Sequence, residues 1–187
     1  MKNKQLILAS QSPRRKELME DVGLVFECIP SNAEEIFPAD QTIEDAIEDV
    51  AFQKANDIFL KHPDAIVIGC DTMVVDGNQK LGKPKSKEDA YHMLTSLSGK
   101  THRVISGVAI LSKDKKITFH DITYVTFYDI EDDLLETYLN SDEPYDKAGA
   151  YGIQGKGRLF VKEIKGDYFN VVGLPISRVY RALKEVM

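Results

Sequence analysis

At 187 residues the chain is long enough to bury a sizeable core, as one domain or as one elongated domain of two lobes. With 43% hydrophobic and 29% charged residues it has the composition of an ordinary soluble globular protein, and a formal net charge of −6 argues against a general nucleic-acid binder, which needs a broad basic surface. No apolar run reaches the length of a membrane span, and the apolar part of Met1 to Ala9 is too short for a signal peptide; a cytoplasmic location is expected, with neither a membrane nor a nucleic-acid polymer as partner.

Leu6 to Ala9 is an apolar run of strand type, and Ser12-Pro13 is a helix start, a serine N-cap followed by proline at the first helical position. A strand therefore runs directly into a helix, expected over about Pro13 to Val22. Arg14, Arg15 and Lys16 occupy its first turn, where the macrodipole is positive and each cation costs about 0.3–1 kcal/mol. Together with free backbone N–H groups and the hydroxyls of Ser10 and Ser12, they suit a polyanion such as a di- or triphosphate. A solvated basic turn is the alternative on spacing alone.

Gly23 breaks the helical pattern and Leu24 to Ile29 reads as a second strand, followed by the polar loop Ser31-Asn32-Ala33-Glu34-Glu35. Glu34 is a candidate magnesium ligand, since a hard cation beside phosphates takes one or two carboxylates and keeps several waters. Plain solvation is the other reading of that acidic pair. From Thr42 to about Lys61, apolar residues recur at helical spacing, from Ile43, Ala46 and Ile47 to Ile58 and Phe59. Lys54 lies close to that stripe, either snorkelling to water or reaching into a cleft.

Ala65 to Val75 is the most hydrophobic stretch and is expected to be a central strand covered on both faces. Asp71 and Thr72 sit in its middle. A carboxylate there must be hydrogen-bonded, paired or metal-bound, because burying it unpaired is very costly. Asp76-Gly77-Asn78 turns the chain into Gln79 to Leu81, and the hairpin is expected to return Lys83 towards Asp71. Ser86 caps a helix to about Leu97, with acids in its first turn as the dipole favours. Strands over Thr101 to Ser112 and Lys116 to Tyr128, a helix over Glu131 to Ser141, a strand over Arg158 to Ile164 and a helix over Pro175 to about Val186 complete the pattern.

Between them, Asp146 to Gly157 is rich in glycine and matches neither the GxxxxGK[ST] phosphate loop nor the GxGxxG dinucleotide fingerprint. Such glycines suit either a flexible loop or close backbone approach to a ligand, and Gln154 offers an amide donor and acceptor. Cys28 and Cys70 lack zinc-type company and read as reduced, mostly buried thiols. His62, His92, His102 and His120 read as surface or core-edge residues rather than ligands. No repeat or linker marks a second domain, so residues 1–187 read as one domain. These residues favour a nucleotide hydrolase over a binding module, which would have no use for Asp71.

The ordered motifs resemble the Maf family, in its dTTP/UTP pyrophosphatase branch. They are Leu-Ala-Ser-Gln-Ser-Pro-Arg-Arg at 8 to 15, Glu34-Glu35, Ile-Gly-Cys-Asp-Thr at 68 to 72, Leu-Gly-Lys-Pro at 81 to 84, Leu-Ser-Gly at 97 to 99, Asp-Lys-Ala-Gly-Ala-Tyr-Gly-Ile-Gln-Gly at 146 to 155, and Gly-Leu-Pro at 173 to 175. Cys70 stands where the family often has alanine. The resemblance implies a mixed twisted sheet with flanking helices in two lobes around a cleft, similar to inosine triphosphate pyrophosphatases, and a homodimer. It implies hydrolysis of dTTP and UTP, or of modified pyrimidine triphosphates, to the monophosphate and pyrophosphate with magnesium or manganese. Asp71 is then the proton acceptor; Arg14, Thr72 and Gln154 are tied to base selection; Ser10, Glu34, Lys54 and Lys83 complete the cleft, and Arg15 of the basic turn is expected beside them as a substrate-binding residue. Whether Asp71 is the base or mainly a metal ligand with Glu34 as base stays open. The family's septum-formation name implies the alternative of a nucleotide-binding regulator of cell division whose hydrolysis is incidental.

Overall fold

The first strand is three residues long, Leu6–Leu8 (β1), and enters the first helix, Pro13–Asp21 (α1), through a short loop. This opening was legible because the apolar run and the Ser-Pro start sit side by side. The structure, a computed structural model, describes residues 4–37 and 40–187. The second strand is shorter than its apolar pattern predicts, Glu27–Cys28 (β2), and pairs in parallel with Ile7 and Leu8 of β1. Val25 stands 91% exposed. Cys28 is exposed as well, which corrects the expectation of two mostly buried thiols; Cys70 is buried.

A helix follows at Ile43–Phe59 (α2), then strands Ile66–Asp76 (β3) and Gln79–Leu81 (β4), a helix Lys87–Leu97 (α3), and long strands Thr101–Leu111 (β5) and Lys116–Phe127 (β6). After Asp132–Leu139 (α4) come three 3-10 turns, then strand Val161–Lys165 (β7) and helices Tyr168–Val172 (α5) and Ile176–Leu183 (α6). The sheet has seven strands in the order β2-β1-β3-β5-β6-β7, with β4 added to β3. It is mixed, as expected: β1 runs parallel to β2 and β3, whereas β4 and β7 pair antiparallel. Among the described residues no helix is long and apolar enough to cross a membrane.

The chain divides into two compact units, Met1–Thr72 with Ser106–Asp121 and Gly173–Met187, and Met73–Ile105 with Ile122–Val172. In the first, Ile7, Ala9, Ala51, Ala55, Ile58, Val67 and Ala109 form one core. Helix α2 is capped by Thr42, whose hydroxyl accepts from Asp45 N at 3.1 Å, and its first turn carries Glu44 and Asp45. Each fully buried aliphatic on its inner face, such as Ile47 or Val50, contributes about 1.5–3 kcal/mol. Glycines let the helix come unusually close to the sheet. A Cβ on Gly69 would sit 2.7 Å from Ala55 N, and one on Gly107 would sit 2.9 Å from Glu48 N, so only hydrogen fits at either place.

In the second unit, α3 and α4 cover a core of Val74, Leu94, Leu97, Val125, Leu135 and a set of aromatic rings. Phe127 packs edge-on against His102 and Tyr151, with centroids 4.8 and 4.7 Å away, and Tyr138 does the same against Phe160 at 4.9 Å. The glycine-rich segment is not an open loop, as 3-10 turns at Glu143–Asp146, Ala148–Ala150 and Lys156–Phe160 bracket Gln154. The last of these turns delays β7 to Val161, where periodicity alone placed a strand from Arg158.

Candidate active site

Asp71 lies in β3 where that strand's buried pattern is interrupted at mid-strand by two partly open positions, Asp71 and Thr72. Its carboxylate accepts from Lys54 Nζ at 2.6 Å. The same ammonium is 2.8 Å from Glu35 Oε1. The side chains of Lys54 and Asp71 are only 15% and 14% exposed, so solvent screens this pair far less than an ordinary surface ion pair. Lys54 is therefore neither snorkelling nor solvated; it holds two carboxylates together.

Glu35 reaches Lys54 because its loop is pinned along α2. Asp57 Oδ2 accepts from Ser31 Oγ and Asn32 N, both at 2.9 Å, while Gln53 Oε1 accepts from Ile36 N at 3.2 Å and Gln53 Nε2 donates to Ile36 O. Gln53 and Asp57 are one helical turn apart and flank Lys54, so one face of α2 organises the acidic loop. The Asp57 carboxyl is held below its ordinary pKa, by the Lys61 ammonium first and then by the Asn32 N–H. Glu34, the expected metal ligand, is exposed on this loop, and it is its neighbour that touches Lys54. Periodicity is silent on a loop, so sequence could not choose between the two; the spacing of Gln53 and Asp57 about Lys54 was the one available signal.

Asp71 and Glu35 offer oxygen donors of the kind a hard divalent cation takes, and both now contact the Lys54 ammonium. Among the described residues no three His, Cys, Asp or Glu side chains gather as a complete protein cage.

Ser10 is nearly buried, and its Oγ accepts from Ser12 N at 3.1 Å. Ser12 holds the N-cap position of α1 without a side-chain cap bond, so the serine that satisfies this helix start is Ser10. Arg14 is partly exposed on the first turn, and Lys16 forms a loose ion pair with Glu20 at 3.6 Å. Arg15 turns inward, donating to Ser10 Oγ, Cys70 O, Thr72 Oγ1 and Gly173 O. Thr72 Oγ1 also pairs with Ser106 Oγ at 2.8 Å and lies 3.2 Å from Gly173 O. Burial pushes the Cys70 thiol upward in pKa, and its Sγ donates to Gly173 O at 3.4 Å. Thus Ser10, Arg15, Lys54, Asp71 and Thr72 come together in one unit.

The other two expected residues belong to the second unit. Lys83 is exposed just after β4, whose Leu81 pairs with Val74. Gln154 is partly exposed between two anchors. On one side Tyr151 bonds His102 Nε2 through its hydroxyl at 2.7 Å. On the other, the Glu143 carboxylate accepts from Lys156 N at 2.9 Å and Gly157 N at 3.2 Å. Lys147 lies over Gly152, where a Cβ would come within 2.6 Å of its Cδ. His102 is 1% exposed, deeper than the core-edge place expected of it, and burial lowers its pKa to about 4, so the imidazole is neutral near pH 7. Glu143 and His102 carried no sequence signal; their partners are brought to them only by the fold.

A family model described as Maf-like protein matches residues 5–186. Curated proteins named dTTP/UTP pyrophosphatase from Bacillus anthracis and Bacillus velezensis are each 50% identical over 182 residues, covering 97% of this chain and 95% and 96% of theirs. Among solved structures, a HAM1 protein from Coxiella burnetii matches with a TM-score of 0.52 at 10% identity, covering 97% of this chain and 99% of that one. That likeness is one of fold.

Proposed function

The chain belongs to the Maf-like protein family, and from that premise we propose that it hydrolyses dTTP and UTP, or modified pyrimidine triphosphates, to the monophosphate and pyrophosphate. The observation that carries the reading is the Asp71 carboxylate, shielded inside β3 and held against Lys54 together with Glu35. A chain that only bound a nucleotide would have no need of this arrangement.

In the proposed reaction a water attacks the α-phosphorus, the bond from that phosphorus to the bridging oxygen breaks, and pyrophosphate departs. Asp71 takes the proton of the attacking water. Lys54, its ammonium already between two carboxylates, orients Asp71 and answers the charge that builds on the phosphoryl oxygens. Arg14 and Lys83 supply cations for the triphosphate, and the Ser10 hydroxyl completes its surroundings, while Thr72 belongs with base selection. A divalent ion, magnesium or manganese, would be held by Asp71 with the Glu34-Glu35 pair; when bound it lowers the pKa of water and neutralises phosphate charge.

Gln154 pairs with the base. Uracil and thymine present an N–H flanked by carbonyls, which one amide matches with its acceptor and donor. An amino group at that edge would leave a donor facing a donor, at about 1–3 kcal/mol. The proposal extends to a cytoplasmic homodimer, and sedimentation showing a monomer at assay concentrations would remove the dimer.

The test is pyrophosphate release by the purified protein from UTP, dTTP, CTP, ATP and GTP with magnesium, with Asp71→Asn and Gln154→Ala alongside. The expected result is release from UTP and dTTP that vanishes in Asp71→Asn and loses base preference in Gln154→Ala. Tight binding of UTP without release would refute the enzymatic reading, and unchanged selectivity in Gln154→Ala would refute the role of the amide.

A further inference from the structure

Arg15 was expected among the residues that bind the triphosphate, and its bonds argue for a different task. A guanidinium has five N–H donors in a fixed fork. In this chain Nε donates to Gly173 O at 2.8 Å, Nη1 to Cys70 O at 2.9 Å and to Ser10 Oγ at 3.2 Å, and Nη2 to Thr72 Oγ1 at 3.1 Å. Four of the five donors are thereby taken by protein oxygens. A bidentate grip on a phosphate needs two parallel N–H groups, and one is left.

The acceptors are not scattered. Cys70 O belongs to the peptide plane that leads into Asp71, and Thr72 is the residue that follows it, so the guanidinium holds the backbone before the carboxylate and the side-chain hydroxyl of the residue after it. Gly173 O gathers the Arg15 Nε–H, the Thr72 hydroxyl and the Cys70 thiol at one point. Gly173 has a φ of +131°, a conformation that glycine adopts readily and that directs this carbonyl into the cluster. Ser10 Oγ, which accepts from both Arg15 and Ser12 N, ties the start of α1 to the same arrangement.

We propose that Arg15 is a positioning residue: it acts on hydrolysis through Asp71, by clamping the Cys70–Asp71 peptide and the Thr72 hydroxyl, and does not contact the triphosphate. The proposal rests on the role given to Asp71 above. A lysine at this place keeps the charge but not the fork: its three donors radiate from one nitrogen and cannot span the four acceptors that arginine reaches from three nitrogens.

The experiment has two parts. In the wild-type protein, arginine side-chain NMR should show a slowly exchanging Arg15 Nε–H that stays within the spread of the other buried signals when a non-hydrolysable α,β-bridged UTP analogue is added. A large shift that saturates with the analogue would overturn the proposal, and so would fast exchange in the free protein. In Arg15→Lys, kcat for UTP should fall about a hundredfold with KM and analogue affinity within about threefold, and amide exchange at residues 70–73 should quicken. Analogue affinity weakened tenfold or more with kcat retained would assign Arg15 to phosphate binding instead. If the wild type neither releases pyrophosphate nor binds the analogue, the proposed function fails, while the exchange rates in the free protein still decide whether the clamp exists.

Discussion

Replacing Gly69 by alanine should separate α2 from β3 and damage the protein in two measurable ways. The new methyl would meet the Ala51 carbonyl oxygen directly, and would lie 2.7 Å from Ala55 N and 2.9 Å from Ala55 Cβ. Ordinary contacts start near 3.4 Å, and the obstructing atoms are mostly helix backbone, which cannot rotate away, so α2 must retreat by about an ångström. Overpacking of this kind costs about 1–3 kcal/mol, and rigid neighbours put this site near the upper end. At about 2–4 °C per kcal/mol for a chain of this size, Tm should drop by about 6–12 °C. The same retreat carries Lys54 away from Asp71, a bond now 2.6 Å long, and an ångström of misplacement lowers turnover by about a hundredfold. Calorimetry and initial rates of pyrophosphate release would read both effects. Gly82→Ala, where a methyl meets open space at an ordinary φ, is the control for stability. A Gly69→Ala protein with Tm within about 2 °C of wild type and kcat within about twofold would refute the close-approach argument.

The buried His102 makes stability depend on pH. Its folded-state pKa of about 4 lies below the ordinary 6.5, so its contribution is fully present above 6.5 and is lost as pH falls from there through 4, by up to about 3 kcal/mol. Urea titrations of wild type and His102→Gln across that window should converge at the acid end; parallel curves would contradict the burial argument. The anchor beside Gln154 predicts non-additivity. Gly155→Ala drives a methyl into the Glu143 carboxylate and should loosen selectivity between UTP and CTP about tenfold, whereas adding it to Glu143→Ala should change little more. Equal effects of Gly155→Ala in both backgrounds would show that the carboxylate does not hold that segment.

How far the sequence carried the reading depends on where each signal lives. Helix α2, the long strands β3, β5 and β6 and the caps Thr42 and Ser86 were legible because periodicity and capping are local chemistry, and both cap hydroxyls do accept the third N–H onward. Asp71 stood out because an acid inside a β-branched run has to be answered by something. What answers it is Lys54, seventeen positions earlier in sequence, with Glu35. Only Glu27 and Cys28 of the second apolar run pair with β1, a register that the run's own residues do not hold. The 3-10 turn that follows Gln154 has its first two N–H groups capped by Glu143, a residue of the turn that precedes the glycine-rich segment. Arg15 shows the limit most clearly: in sequence it is one of three adjacent cations, and only the arrival of Gly173, 158 residues later, turns it from a surface charge into a clamp.

The central claim is that water attacks the α-phosphorus under the control of Asp71, and turnover of UTP in ¹⁸O-labelled water tests it most directly. The account predicts the label in UMP, none in pyrophosphate, and no labelled product from Asp71→Asn. Label in pyrophosphate would place the attack at the β-phosphorus and contradict the account, as would an Asp71→Asn protein that labels UMP at the wild-type rate.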